Sequence, residues 1–70
     1  MINTTLMKER MSELNLKEEY LADKMKMAQS TLNLKINNKR SFTIEEMFEI
    51  SDYLEIKDGE LQNFFNLKLA

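Results

Sequence analysis

The sequence predicts an all-α fold of five short helices, and three observations support this. The 70-residue chain contains no proline and a single glycine, so few positions interrupt a helix or mark a linker. Apolar residues recur at intervals of three and four residues along the chain, which is the spacing of amphipathic helices. Side chains that commonly cap helices stand just ahead of several of these apolar stretches.

A first helix is expected from about residue 4 to residue 14. Asn3 or Thr4 is its candidate N-cap, because a short polar side chain there accepts a hydrogen bond from an otherwise unpaired backbone N–H. Asn15 suits the left-handed conformation that often ends a helix. The apolar stripe of this helix consists of Met7, Met11 and Leu14.

The next two helices are short and close together in the sequence. The second is expected from about residue 17 to 24 and the third from about 29 to 36, with residues 25–28 as the turn between them. Their apolar residues are Leu21 and Met25, with Tyr20 and Ala22 beside them, and then Leu32 and Ile36.

The C-terminal half begins with a loop over residues 37–41, predicted from its polar composition. Thr43 is followed three residues later by Glu46, so each side chain can pair with the other's backbone N–H and start a fourth helix. Asp58 is the candidate cap of a last short helix. The apolar residues of these two helices are Met47, Ile50 and Leu54, with Phe48 alongside, and then Leu61, Phe64 and Phe65.

The composition excludes several classes of function. The chain has no Cys and no His, which excludes disulfides, thiolate or imidazole metal sites, and catalysis by cysteine or histidine. Carboxylate catalysis would need a concave pocket that so small a helical domain rarely forms. We therefore expect no enzyme, no cofactor, no metal and no small-molecule substrate.

The sequence also bears on domain number and location. A chain of 70 residues holds one thin core, so a single domain over residues 1–70 is expected. Charged residues interrupt the segment where a signal peptide would need its apolar stretch, and no apolar run reaches the length of a membrane span. We therefore expect a cytoplasmic protein with no membrane partner.

Charge is distributed unevenly along the chain, although the total is only −2. Residues 1–23 carry three basic and five acidic side chains, and residues 41–70 carry two and seven. Residues 24–40 carry five basic side chains and no acid, which indicates an anionic partner for this segment. The five are Lys24, Lys26, Lys35, Lys39 and Arg40.

Three features of residues 16–39 occur in a characteristic order. Ala22 is a small residue within the second helix, Ser30-Thr31-Leu32 opens the third helix, and Asn37-Asn38-Lys39 follows it. This order resembles the helix-turn-helix of the Cro/CI (XRE-type) family, and roughly residues 5 to 65 are similar to small repressor-like proteins of Gram-positive phages. The resemblance implies a compact five-helix lambda-repressor-like DNA-binding domain in which helices 2 and 3 form the helix-turn-helix.

The resemblance also implies which residues contact DNA. The third helix would enter the major groove, which is wide enough for one helix. The residues expected to face base edges are Gln29, Ser30, Asn33 and Leu34. The residues expected to contact phosphates are Lys35, Asn37, Lys39 and Arg40. Side-chain amides pair with adenine and Leu34 suits a thymine methyl; the alternative is that these residues are ordinary solvated surface.

The chain departs from the family pattern at four positions. Glu18 replaces a glutamine whose amide donates to phosphate, and Glu19 adds a second negative charge. Both acids suit the positive end of a helix but oppose phosphate docking. Lys26 replaces the turn glycine and Ala28 replaces a capping serine, each at a cost of about 1 kcal/mol.

Two functions fit this pattern. The first is a phage-type transcriptional regulator of the lysis–lysogeny switch, which binds double-stranded operator DNA as a homodimer on a short palindrome. The second is a helix-turn-helix antirepressor that binds and inactivates a CI-type repressor. In that case Glu18, Glu19 and Asp23 would face basic residues of the repressor. Candidate dimer contacts are Phe64 or Phe65 with Leu67 and Leu69.

Overall fold

The computed structural model describes residues 1–66. The elements are α1 (Thr4–Glu13), α2 (Glu18–Lys24), α3 (Gln29–Ile36), α4 (Ile44–Tyr53), a 3₁₀ turn (Asp58–Glu60) and α5 (Leu61–Phe65). The predicted all-helical class is confirmed over this range, and the first three helices agree with their predicted bounds to within a residue. None of the helices described is long and apolar enough to cross a membrane.

Three predicted helix ends are confirmed. Asn3 is the N-cap of α1, and its Oδ1 accepts a hydrogen bond from Leu6 N–H at 3.1 Å. Asn15 follows α1 in the left-handed conformation, with φ 55°. Thr43 and Glu46 form a complete capping box: Thr43 Oγ1 accepts from Glu46 N–H at 3.0 Å, and Glu46 Oε1 accepts from Thr43 N–H at 2.9 Å.

The start of the last helical segment differs from the prediction. Asp58 is not a cap but the first residue of the 3₁₀ turn, and Lys57 occupies the N-cap position. Glu60 Oε1 accepts a hydrogen bond from Lys57 N–H at 3.2 Å. The acid three residues beyond the cap therefore pairs with the N–H at this end, which is half of a capping box.

The core is formed by apolar side chains from all five α-helices. Its buried members are Met7, Met11, Leu21, Ala22, Met25, Leu32, Ile36, Ile50, Leu54, Phe64 and Phe65. Two residues predicted beside these stripes are instead exposed: Tyr20 at 47% and Phe48 at 59%. Phe48 lies one turn after Ile44, which is 67% exposed, so this pair is on the outer side of α4. Of the candidate dimer contacts, Phe64 and Phe65 are members of this core. Leu67 and Leu69 lie outside the described residues.

Arg10 connects α1 to the C-terminal half, a role that the sequence did not indicate. Its Nη1 donates to the carbonyl oxygens of Leu54 at 2.9 Å and Glu55 at 3.1 Å. Its Nη2 lies 3.1 Å from Glu60 Oε2, and the guanidinium lies 5.3 Å from the centre of the Phe64 ring. The last turn of α4 has no basic residue of its own, so Arg10 supplies the cation that favours these carbonyls.

Candidate nucleic-acid interface

The turn between α2 and α3 is closed without glycine. Lys26, which replaces the turn glycine, adopts φ 57°, in the left-handed region. Its N–H donates to Asp23 O at 3.2 Å and Met27 N–H donates to Ala22 O at 3.0 Å, which is the hydrogen-bond pattern of a Schellman helix end. Ala28, at the N-cap of α3, makes no side-chain cap bond. Backbone hydrogen bonds therefore hold the turn despite the two replaced residues.

One side of α3 is open to solvent. The exposed residues Gln29, Ser30, Asn33 and Leu34 line one shallow depression, which we call the recognition face. They are neighbours because residues three and four apart share one side of a helix. The opposite side of α3 carries Leu32 and Ile36, both at 0% exposure. The structure thus brings together all four residues that the sequence assigned to base edges.

The loop after α3 presents two basic side chains beside this face. Lys39 and Arg40 are both exposed, and their backbone N–H groups donate to Leu34 O at 2.8 and 3.3 Å. Asn37 is half-buried, and its Nδ2 donates to Asn33 O at 2.9 Å. These backbone and side-chain bonds fix the loop against the end of α3.

A second set of contacts anchors the same loop to the N-terminus. Asn38 has φ 62°. Its Oδ1 accepts from Ile2 N–H at 2.8 Å, and its Nδ2 donates to Ile2 O at 3.0 Å. Thr4 Oγ1 donates to Ile36 O at 2.6 Å. The loop that carries Lys39 and Arg40 is therefore held from both sides.

These features are those of a helix-turn-helix: two short helices joined by a tight turn, with an exposed face on the second. The helix-turn-helix family model HTH_3 matches residues 6–61. The chain belongs to the XRE-type helix-turn-helix family. This is a family of DNA-binding regulators and is generally non-enzymatic, so the match supports DNA-binding regulation for this chain. Comparison with curated proteins and with solved structures gave no match.

In this helix-turn-helix protein Lys35, the remaining residue predicted to contact phosphates, pairs with an acid of the same chain. Its side chain is 11% exposed, and its Nζ lies 2.5 Å from Glu46 Oε1. The ammonium also lies 5.9 Å from the centre of the Phe42 ring. Lys35 therefore joins α3 to the first turn of α4. The sequence did not indicate this because the partner belongs to another helix.

The same contacts determine the titration of Glu46. Burial raises the pKa of its carboxyl, but the hydrogen bonds from Lys35 and from Thr43 N–H, with the Lys35 charge, outweigh burial and hold the pKa below its usual value. The carboxylate is therefore ionised at neutral pH and completes both the ion pair and the capping box. The charge of Glu46 therefore supports the packing of α3 against α4 and is not part of the recognition face.

Glu18, the first residue of α2, contacts the recognition face directly. Asn33 Nδ2 donates to Glu18 Oε1 at 3.2 Å and to Glu18 Oε2 at 3.4 Å. A carboxylate that only accepts hydrogen bonds thus stands where the family has an amide. The sequence placed both residues on the motif but gave no indication of this contact, since fifteen positions separate them.

The three acids predicted as a protein-partner surface differ in exposure. Glu18 is half-buried beside α3, whereas Glu19 and Asp23 are exposed. Glu19 and Asp23 line a shallow depression together with Tyr20. Lys24 Nζ lies 5.5 Å from the centre of the Tyr20 ring, close enough for a cation–π contact. Glu19, Asp23 and Tyr20 form what we call the α2 face.

Proposed function

We propose that this protein is a single-domain transcriptional regulator that recognises operator DNA through α3. The observation that carries the proposal is the recognition face: four side chains exposed together on one side of a helix whose other side is buried. A helix of this kind fits the major groove, where base pairs present distinct patterns of donors and acceptors.

Each residue of the interface has a role in this proposal. Gln29 and Asn33 supply amides to base edges, Ser30 supplies a hydroxyl, and Leu34 meets a thymine methyl. Asn37, Lys39 and Arg40 contact phosphates, which provide affinity and register rather than sequence selectivity. Lys35 is left out of the phosphate set because Glu46 already neutralises it.

We further propose a Cro-type role in the lysis–lysogeny switch of a phage, with a homodimer on a palindromic operator. The support is the resemblance of roughly residues 5 to 65 to small repressor-like proteins of Gram-positive phages. Half-sites of a helix-turn-helix dimer lie about one helical turn of DNA apart. A selected operator should therefore contain two inverted half-sites at that spacing.

The test is selection of binding sites from random double-stranded DNA, followed by titration of the selected operator at several salt concentrations. We expect an enriched palindrome and an affinity that falls with salt. Lys39→Gln should weaken binding to every sequence and reduce the slope of log K against log salt by about 0.9, the value for one phosphate contact. Lys57→Gln, a basic residue elsewhere, is the matched control and should change neither. Failure to enrich any sequence at low salt would reject the proposal.

The α2 face favours a second candidate, the antirepressor that inactivates a CI-type repressor. Two exposed acids around an exposed tyrosine suit a basic protein surface, since complementary charge raises association rate and selectivity. The test is calorimetric titration of a CI-type DNA-binding domain. If this function holds, Glu19→Gln with Asp23→Asn weakens the complex at least tenfold. If no complex forms with the parent protein, the antirepressor function is rejected.

A further inference from the structure

The contact between Glu18 and Asn33 has a direct bearing on base selectivity. A side-chain amide can rotate so that its NH₂ group and its carbonyl oxygen exchange places, and the two arrangements offer opposite hydrogen-bonding groups to a base. In this structure the NH₂ group of Asn33 points to the Glu18 carboxylate, at 3.2 and 3.4 Å from its two oxygens. The Oδ1 atom is therefore on the other side of the amide.

A carboxylate fixes this arrangement more strictly than the family's glutamine would. An ionised carboxylate has acceptors only, so turning the Asn33 carbonyl toward Glu18 would put oxygen against oxygen with no hydrogen between them. A glutamine has both a donor and an acceptor and would pair with either arrangement of Asn33. A hydrogen bond to a charged acceptor is also stronger than one between neutral groups.

We propose that Glu18 is a positioning residue that sets the base preference of Asn33. The proposal rests on the proposed DNA-binding function. Glu18 keeps Oδ1 of Asn33 available as an acceptor, so the base that it meets must present an exocyclic amino group in the major groove. Adenine N6 and cytosine N4 are such donors, whereas guanine O6 and thymine O4 are acceptors. Through Oδ1, Asn33 therefore favours adenine or cytosine over guanine or thymine on the contacted strand, and the amide N–H that is not bonded to Glu18 can also donate to adenine N7.

The carboxylate has the opposite effect on affinity. It brings a negative charge to the end of α2, where the family's amide would donate to a phosphate. Glu18 therefore lowers affinity for all DNA sequences while it raises selectivity at one base pair. Glu19 is next to it, exposed and on the same helix end, but Asn33 does not donate to it. The two acids thus separate the effect of charge from the effect of positioning.

The experiment compares Glu18→Asp, Glu18→Gln and the control Glu19→Gln on operators that differ only at the base pair whose preference Asn33→Ala abolishes. The parent should favour adenine or cytosine there by about threefold to tenfold, the value of one hydrogen bond. Glu18→Asp keeps the charge on a shorter side chain, so the preference should fall without a gain in affinity. Glu18→Gln should bind all operators more tightly with a reduced preference. Glu19→Gln should bind more tightly with the preference intact.

A measurement without DNA tests the contact itself. The two side-chain NH₂ protons of Asn33 give separate NMR signals, and the proton bonded to Glu18 should shift in Glu18→Asp and not in Glu19→Gln. Unchanged base preference in Glu18→Asp, with specific binding retained, would overturn the positioning role and leave the DNA-binding function standing. Unchanged NMR signals would overturn it as well. Absence of specific binding by the parent protein, with the NMR shift present, would reject the DNA-binding function and with it the base preference, and would leave the contact established.

Discussion

Two polar contacts, which we call ties, join α3 to its neighbouring helices α2 and α4. Each tie involves a carboxylate, and the two ties differ in burial. On one side Lys35 and Glu46 are 11% and 23% exposed and form an ion pair that is continuous with the capping box of α4. On the other side Asn33 and Glu18 form a hydrogen bond at the surface. Removing one partner of a shielded pair leaves the other charge without a partner, whereas in an exposed pair water takes the place of the lost partner. We therefore expect the first tie to stabilise the fold and the second to tune recognition.

The largest effect on stability is expected from the shielded tie. Lys35→Met keeps an unbranched apolar stem but leaves the Glu46 carboxylate without its cation, so the free energy of unfolding should fall by about 1–2 kcal/mol. Urea denaturation followed by circular dichroism measures this loss. Lys39→Met, an exposed lysine four residues on, should change the free energy by less than about 0.5 kcal/mol. Equal effects of the two variants would contradict the comparison.

The pH dependence of stability is a second way to test the same tie. The folded state holds the pKa of Glu46 below its usual value, and the hydrogen bond from Lys57 N–H does the same for Glu60, with Arg10 assisting. In acid the unfolded chain therefore binds more protons than the folded one. The stabilisation is present above a pH of about 4.3, the ordinary pKa of Glu, and is lost as pH falls through the lowered values.

Glu46→Gln should remove part of this loss of stability in acid. The amide oxygen still accepts from Thr43 N–H, so the helix start is kept, but the variant is less stable than the parent at pH 7 by about 0.5–1 kcal/mol. The difference should disappear near pH 3. Glu45→Gln, an exposed acid in the same turn, is the control and should follow the parent's pH profile. A constant difference between Glu46→Gln and the parent at every pH would contradict the ion pair.

The turn that joins the two helices of the motif offers a third prediction, smaller and of opposite sign. Lys26→Gly should stabilise the protein by about 0.5 kcal/mol, because glycine adopts the φ of 57° without the strain of a side chain. Lys24→Gly, two residues earlier within α2, should destabilise by about 1 kcal/mol, because glycine is a poor helix former. Thermal unfolding of the two variants measures both signs. A loss of stability in Lys26→Gly would exclude the strain at Lys26.

The parts of the fold that the sequence predicted are those determined by neighbours in the chain. Helix starts at Asn3 and Thr43 follow from local capping, and the turn at Lys26 follows from the spacing of the motif. The exposed side of α3 follows from helical periodicity once its buried stripe is known. Local pattern therefore sufficed for the motif and for the recognition face.

What the sequence missed depends on residues that are distant along the chain. Lys35 was assigned to phosphate because its charge is visible and its partner, in the next helix, is not. Arg10 and the pair of Glu18 with Asn33 were missed for the same reason. Phe48 was assigned beside the apolar stripe because a period cannot tell which flank of the stripe faces solvent. The partners and the exposure of these residues depend on how the helices pack against one another, which a local pattern does not determine.

The smallest stability effect should belong to the exposed tie, and this is the sharpest test of the comparison. Asn33→Ala removes the hydrogen bond to Glu18 from a helix position where alanine is favourable, so the free energy of unfolding should change by less than about 0.5 kcal/mol. The same variant should lose its preference at one operator base pair. Lys35→Met should do the reverse, losing stability while its folded fraction keeps the parent's preference. If Asn33→Ala unfolded as readily as Lys35→Met, the surface hydrogen bond would be part of the scaffold, and the division of α3 into a supporting side and a recognising side would be wrong.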